Sequence, residues 1–123
     1  MYEISVEQEF DAAHALRGYE GKCENLHGHR FRVAVTIAAT TLNDIGLAYD
    51  FTVLKKQLGE VLGRFDHTSL NDIHPFDGIN PSSENIARTI YDEMKARLSA
   101  APVTIKRVEV WESPTSRAEY RPD

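Results

Sequence analysis

The feature that most limits how this chain can fold is a pair of period-two runs with histidines at their adjoining ends. From Tyr2 to His14 the even positions read Tyr2, Ile4, Val6, Gln8, Phe10, Ala12 and His14, while Glu3, Ser5, Glu7, Glu9 and Asp11 occupy the odd ones. Such alternation specifies a half-buried strand with one wet face, and it places His14 on the buried side. A second run extends from about His29 to Thr40, with Phe31, Val33, Val35, Ile37 and Ala39 on one side. Immediately before it stands the block Cys23-Glu24-Asn25-Leu26-His27-Gly28-His29. Entering a strand, His27 and His29 project from the same face, because strand side chains repeat every second residue. Gly28 between them leaves room for close approach of backbone or substrate.

Between the two runs, Arg17 to Glu24 reads as a loop with Gly18 and Gly21, and Thr41 to Gly46 reads as a turn. Asp50 offers an N-cap for a helix of about 14 residues, whose apolar stripe is Phe51, Leu54, Leu58, Val61, Leu62 and Phe65. Asp66-His67-Thr68 closes it, and Asn71 to Pro81 is irregular. Ser82 and Ser83 offer the cap of a second helix, striped by Ile86/Ala87, Ile90/Tyr91, Met94 and Leu98 and ending before Pro102. A strand over about Val103 to Glu112 changes apolar parity between Ile105 and Val108, which predicts a bulge near Lys106-Arg107. Pro114 ends it, and a last strand follows around Arg117 to Tyr120. The order ββααββ predicts an α+β fold over residues 1–123 as one domain, a four-stranded antiparallel sheet with two helices on one face. Its two free edges invite closure with copies of itself, so a homo-oligomer is expected.

Composition narrows the function classes. A net charge of −5 argues against general nucleic-acid binding, which needs surplus Lys and Arg. No run approaches the roughly 18–20 apolar residues of a membrane span. Met1-Tyr2-Glu3-Ile4-Ser5 reads as no export signal, and a single cysteine suits a reducing, cytoplasmic setting.

His14, His27 and His29 come from two neighbouring strands and are predicted to converge on one metal. Three imidazoles with an open position suit a catalytic zinc better than a structural one, which usually has four protein ligands. Cys23 is either a fourth ligand or a free thiolate. In the second case Asp66-His67 supplies a partner, with His67 pairing Cys23 and Asp66 orienting His67, although the same residues also read as a plain helix end. Glu112 shares strand parity with Val108 and Val110, so its carboxylate faces an apolar wall or ends the strand in a salt bridge. His74, beside Pro75 in a polar loop, is assigned no chemistry.

Taken together, several segments resemble the 6-pyruvoyltetrahydropterin synthase superfamily. They are Phe10-Asp11-Ala12-Ala13-His14, the Cys-x-x-x-His-Gly-His block, Gly46 to Phe51, Phe65 to Asn71, Pro81 to Ala87, and Val108 to Glu112. The three-residue gap between Cys23 and His27 resembles the bacterial branch, the 6-carboxytetrahydropterin synthases of queuosine biosynthesis. The resemblance implies a tunnelling fold, with a barrel formed by oligomerisation, a hexamer in the family, and sites between subunits. It implies zinc on His14, His27 and His29, Cys23 as general base, Asp66 and His67 as relay partners, and Glu112 as pterin anchor beside Ser82 and Ser83. The implied reaction is a lyase one, turning 7,8-dihydroneopterin triphosphate into 6-carboxytetrahydropterin, acetaldehyde and triphosphate. A pyruvoyl-forming or aldolase-like reaction on the same substrate, or a non-catalytic pterin-binding module with structural zinc, are the competing readings. The chain departs from the family pattern at Arg30-Phe31, where Asn-Tyr is common, and at Ser82, where threonine is usual. Arg17, Lys22, Arg30, Arg32 and Lys106 are the candidates for the triphosphate.

Overall fold

The computed structural model describes residues 1–123. In chain order the elements are β1 (Tyr2–His14), β2 (His27–Ala39), α1 (Phe51–Leu62), β3 (Thr68–Ser69), α2 (Ser83–Arg97), β4 (Thr104–Ser113) and β5 (Ser116–Tyr120). They form one five-stranded sheet in the order β3-β1-β2-β4-β5. The predicted four-stranded antiparallel sheet is therefore corrected: β3 adds a fifth strand, and it pairs parallel to β1 through Ala12–Thr68 and Ala13–Ser69. Two residues carry no periodicity, so such a strand exists only through its neighbour.

β1 and β2 pair antiparallel without interruption from Tyr2–Ala39 to His14–His27. Residues directly opposite share a face, so Phe10 with Phe31, Ala12 with His29, and His14 with His27 line one side. Both helices pack on that side, α1 against β1 and α2 against β4 and β5. The bulge predicted near Lys106-Arg107 is present: Thr36 pairs with Arg107 but Ile37 with Ile105, leaving Lys106 extra. The extra residue lets Ile105 and Val108 both turn inward despite their parity. A second shift falls between Trp111 and Ser113, so Glu112 stands unpaired in the ladder at the end of β4.

Asp50 caps α1 by accepting from the Thr52 N–H at 2.8 Å. Leu54, Leu58, Val61 and Leu62 are buried as the stripe requires, and so is Phe65 just beyond the helix; Phe51, expected inward, is instead 52% exposed. The α2 stripe from Ile86 to Leu98 is buried throughout. Phe10 stacks on Phe31 with centroids 5.0 Å apart, and Phe65 bridges Phe10 to Phe76. Phe31 in turn meets His14 and His29 edge to face, at 5.4 and 5.6 Å, so the aromatic core runs directly into the histidines. The opposite face of the sheet is charged, with Arg30 on Glu9 and Asp11, Arg32 on Glu7, and Arg107 and Arg117 on Glu109 and Glu119. No helix is long and apolar enough to cross a membrane.

Candidate metal and catalytic site

His14 ends β1, and His27 begins β2 opposite it, with His29 two residues further along the same face. One ring nitrogen from each lies within 4.8 Å of the others. His14 is 1% exposed. Its Nδ1 lies 2.7 Å from the Pro81 carbonyl oxygen, and His27 Nδ1 lies 2.7 Å from the Asn25 carbonyl oxygen. A carbonyl oxygen only accepts, so both Nδ1 atoms carry the proton and both Nε2 atoms present bare lone pairs. His14 Nε2 and His29 Nε2 are buried with no hydrogen-bond partner. A buried polar atom left unpaired costs about 1–3 kcal/mol. Burial pushes the His14 imidazole below its ordinary pKa against the pull of the Pro81 carbonyl, and His27 and His29 push the same way. Three imidazoles whose nitrogens converge, two of them with the other ring nitrogen held by a carbonyl, are the donor set that a divalent metal of the zinc type needs. The residues present fit such an ion, with one coordination position left over.

Cys23 is not among these ligating atoms. It lies half-buried in a short turn over Lys22–Glu24, and its backbone carbonyl accepts from Leu16 N–H at 2.8 Å. No hydrogen bond joins it to His67. Within one chain the expected pairing of Cys23 with His67 is therefore not made. His67 instead lines an open cleft with Asp11, Ala13, Gly28 and Arg30, at the edge where β3 meets β1. A side chain at Gly28 would meet only the Ala12 carbonyl oxygen, at 3.8 Å, so packing does not demand glycine there. Together with Ala13 it keeps the floor of the cleft bare.

Asp66 and His67 do pair, Oδ2 to Nδ1 at 2.9 Å, although adjacent side chains seldom meet. The turn that allows it is left-handed, with φ of 59° at His67. Both residues are also tied to the backbone of Asp11. The Asp11 N–H donates to Asp66 Oδ1 at 2.9 Å, and the His67 N–H donates to the Asp11 carbonyl at 2.6 Å. The Asp11 N–H first, and His67 second, hold the Asp66 carboxyl below the usual carboxylate range.

Glu112 accepts from Ser83 Oγ at 3.1 Å, and its charge reaches His14. Ser82 has a different occupation, capping α2 by accepting from the Asn85 N–H at 3.1 Å. Of the five cationic candidates, Arg17 is committed to the carbonyls of Asn71, Phe76 and Ile79. Arg30 and Arg32 are in ion pairs, and Arg32 also lies 3.8 Å over the Trp111 ring. Lys22 and Lys106 form no side-chain salt bridge or hydrogen bond. Sequence reasoning missed Asn71, Asn80, Pro81 and Asn85, whose contacts back to the end of β1 and within the α2 cap support His14. Arg17 and Asn80 are 63 positions apart, and no local pattern signals such a partner.

A single sheet carrying three convergent imidazoles at one end offers a metal-binding donor set. The model of the family "6-pyruvoyl tetrahydropterin synthase" matches residues 3–123, and the chain belongs to that family. It is 38% identical to the 6-carboxy-5,6,7,8-tetrahydropterin synthase of Bacillus subtilis (strain 168), over 98% of this chain and 86% of that protein. It is 41% identical to the protein of the same name from Synechocystis sp., over 98% and 93%. Among solved structures, that of Caenorhabditis elegans 6-pyruvoyl tetrahydropterin synthase superposes with a TM-score of 0.85 at 27% identity, covering 100% of this chain and 98% of that one.

Proposed function

We propose that this protein is a zinc-dependent lyase that converts 7,8-dihydroneopterin triphosphate and water into 6-carboxy-5,6,7,8-tetrahydropterin, acetaldehyde and triphosphate, a step of queuosine biosynthesis in the cytoplasm. The observation that carries the reading is the trio of convergent imidazoles, two of them with buried, unpartnered Nε2 atoms, in a chain so similar over its whole length to proteins of that name. His14, His27 and His29 hold the ion, and their Nδ1–H bonds to Pro81 and Asn25 orient the first two rings. Zinc bound there supplies a Lewis acid that acidifies the carbon–hydrogen bonds beside the substrate's side-chain hydroxyls.

The chain's own groups move the protons. Cys23 as thiolate takes a proton from the substrate side chain, and His67, oriented by Asp66, returns one. Glu112 anchors the amino and ring nitrogen groups of the pterin, with Ser83 donating to its Oε1 and so fixing the carboxylate. Ser82 sits beside them as the cap that sets the start of α2. No hydrogen bond joins Cys23 to His67 within one chain, which supports a reading in which His67 of one copy serves Cys23 of another, and the working form is a homo-oligomer, a hexamer on the family pattern.

Incubation with 7,8-dihydroneopterin triphosphate, followed by mass spectrometry, tests the reading. Acetaldehyde and the carboxypterin are expected. A pyruvoyl product would move the chain to the other branch, and unchanged substrate with bound pterin would make it a binding module.

A further inference from the structure

We propose that Asn80 is a positioning residue for the metal centre, acting on His14 through the carbonyl of Pro81. The inference rests on the metal reading of the three histidines and goes beyond it. β1 ends at His14, yet the chain that follows is held as though a strand still lay beside it. Asn71 Oδ1 accepts from the Ala15 N–H and its Nδ2 donates to the Ala15 carbonyl, both at 2.9 Å. Asn80 repeats the arrangement on Arg17, again with both bonds at 2.9 Å. Each amide thus replaces one residue of a missing partner strand, satisfying a backbone donor and acceptor at once.

Asn80 is also fixed on its other side, because its own carbonyl accepts from Asn85 Nδ2 at 2.9 Å. The next residue is Pro81, whose ring locks φ near −65°. Then comes Ser82, held by its cap bond to Asn85 and by its carbonyl accepting from the Ile86 N–H at 2.8 Å. With Asn80 and Ser82 both pinned and one torsion locked, the direction of the Pro81 carbonyl is overdetermined. That carbonyl is what keeps the proton on His14 Nδ1 and the ring aimed inward. Groups outside the inner coordination sphere that orient a ligating imidazole in this way typically change metal affinity by about 10- to 100-fold when removed.

The test compares zinc affinity by competition with a chromophoric chelator, and the d–d spectrum of the cobalt(II) form. Wild type, Asn80→Ala, Asn85→Ala and Asn43→Ala are measured, each checked for folding by circular dichroism. Asn43 closes the distant β2–α1 loop through Ile45 and Leu47 N–H groups, so it reports on lost stability alone. Asn80→Ala is expected to bind zinc about 10- to 100-fold more weakly with an altered cobalt spectrum. Asn85→Ala is expected to shift both in the same direction by less, and Asn43→Ala only to lower Tm. Wild-type affinity and spectrum in Asn80→Ala would overturn the inference while leaving the metal centre standing. If Asn80→Ala does not fold, Asn85→Ala decides, and wild-type affinity and spectrum in that variant overturn the inference in the same way. A wild-type chain that binds no zinc would overturn the metal reading and this one with it.

Discussion

His67 occupies a backbone region that residues other than glycine seldom enter, and it does so beside the carboxylate it pairs with. A local cost of order 1–3 kcal/mol persists where surrounding bonds hold the residue in place, and here the Asp11 backbone holds both partners. The Asp66 carboxyl titrates below its ordinary value in the folded chain. The unfolded chain therefore takes up that proton first, near pH 4, and the stability due to the ionised form is present above that pH. It is lost as pH falls through the lower, folded value. Calorimetry is expected to show the Tm gap between wild type and Asp66→Asn narrowing from about pH 5 to about pH 3; a constant gap would uncouple Asp66 ionisation from folding. For Cys23→Ala, turnover is expected to fall by about 10²–10⁴-fold, the usual contribution of a general base. Zinc measured by atomic absorption is expected to stay at one ion per chain; its loss would make Cys23 a ligand.

At the level of elements, the site depends on how firmly β1 and β2 are backed by the aromatic stack. Phe10→Ala removes a buried ring that touches Phe31 and Phe65, and is expected to cost about 3–5 kcal/mol in urea unfolding. Asp50→Ala removes only the α1 cap and is expected to cost about 1 kcal/mol in the same assay. Both helices and both long strands were legible because their apolar spacing repeats over many residues. The Lys106 bulge was legible too, since one extra residue leaves a visible break in parity. β3 was not, having too few residues for any period to show. Phe51 misled because its spacing fits the stripe, yet at the first position of α1 it is left exposed.

At the scale of the whole molecule, the sheet has an unbalanced edge. β3 covers only the last part of β1, and Asp11 shows which groups face outward, since its N–H and C=O both turn to the β3 side. The uninterrupted register carries the same orientation to Glu9, Glu7, Ser5 and Glu3, whose backbone groups form a free edge. If assembly closes the sheet there, Ser5→Pro removes a donor from that edge without touching a β1–β2 bond. Light scattering is expected to find the variant dissociated while circular dichroism finds it folded. An intact oligomer would place the contact elsewhere. The ion pairs on the open face are exposed and screened by solvent, so they keep that face wetted rather than holding the fold.

The sequence by itself determined which faces are apolar, where the helices and every strand but β3 lie, and that His14, His27 and His29 sit on apolar strand faces, because each of these follows from spacing along a few neighbouring residues. Only the tertiary structure decided that Pro81 aims His14, that Asn71 and Asn80 stand in for a missing strand, and that no hydrogen bond joins Cys23 to His67 within one chain. Those facts join residues tens of positions apart, and such partners are chosen by the packing of the whole sheet and its helices, which no local period records.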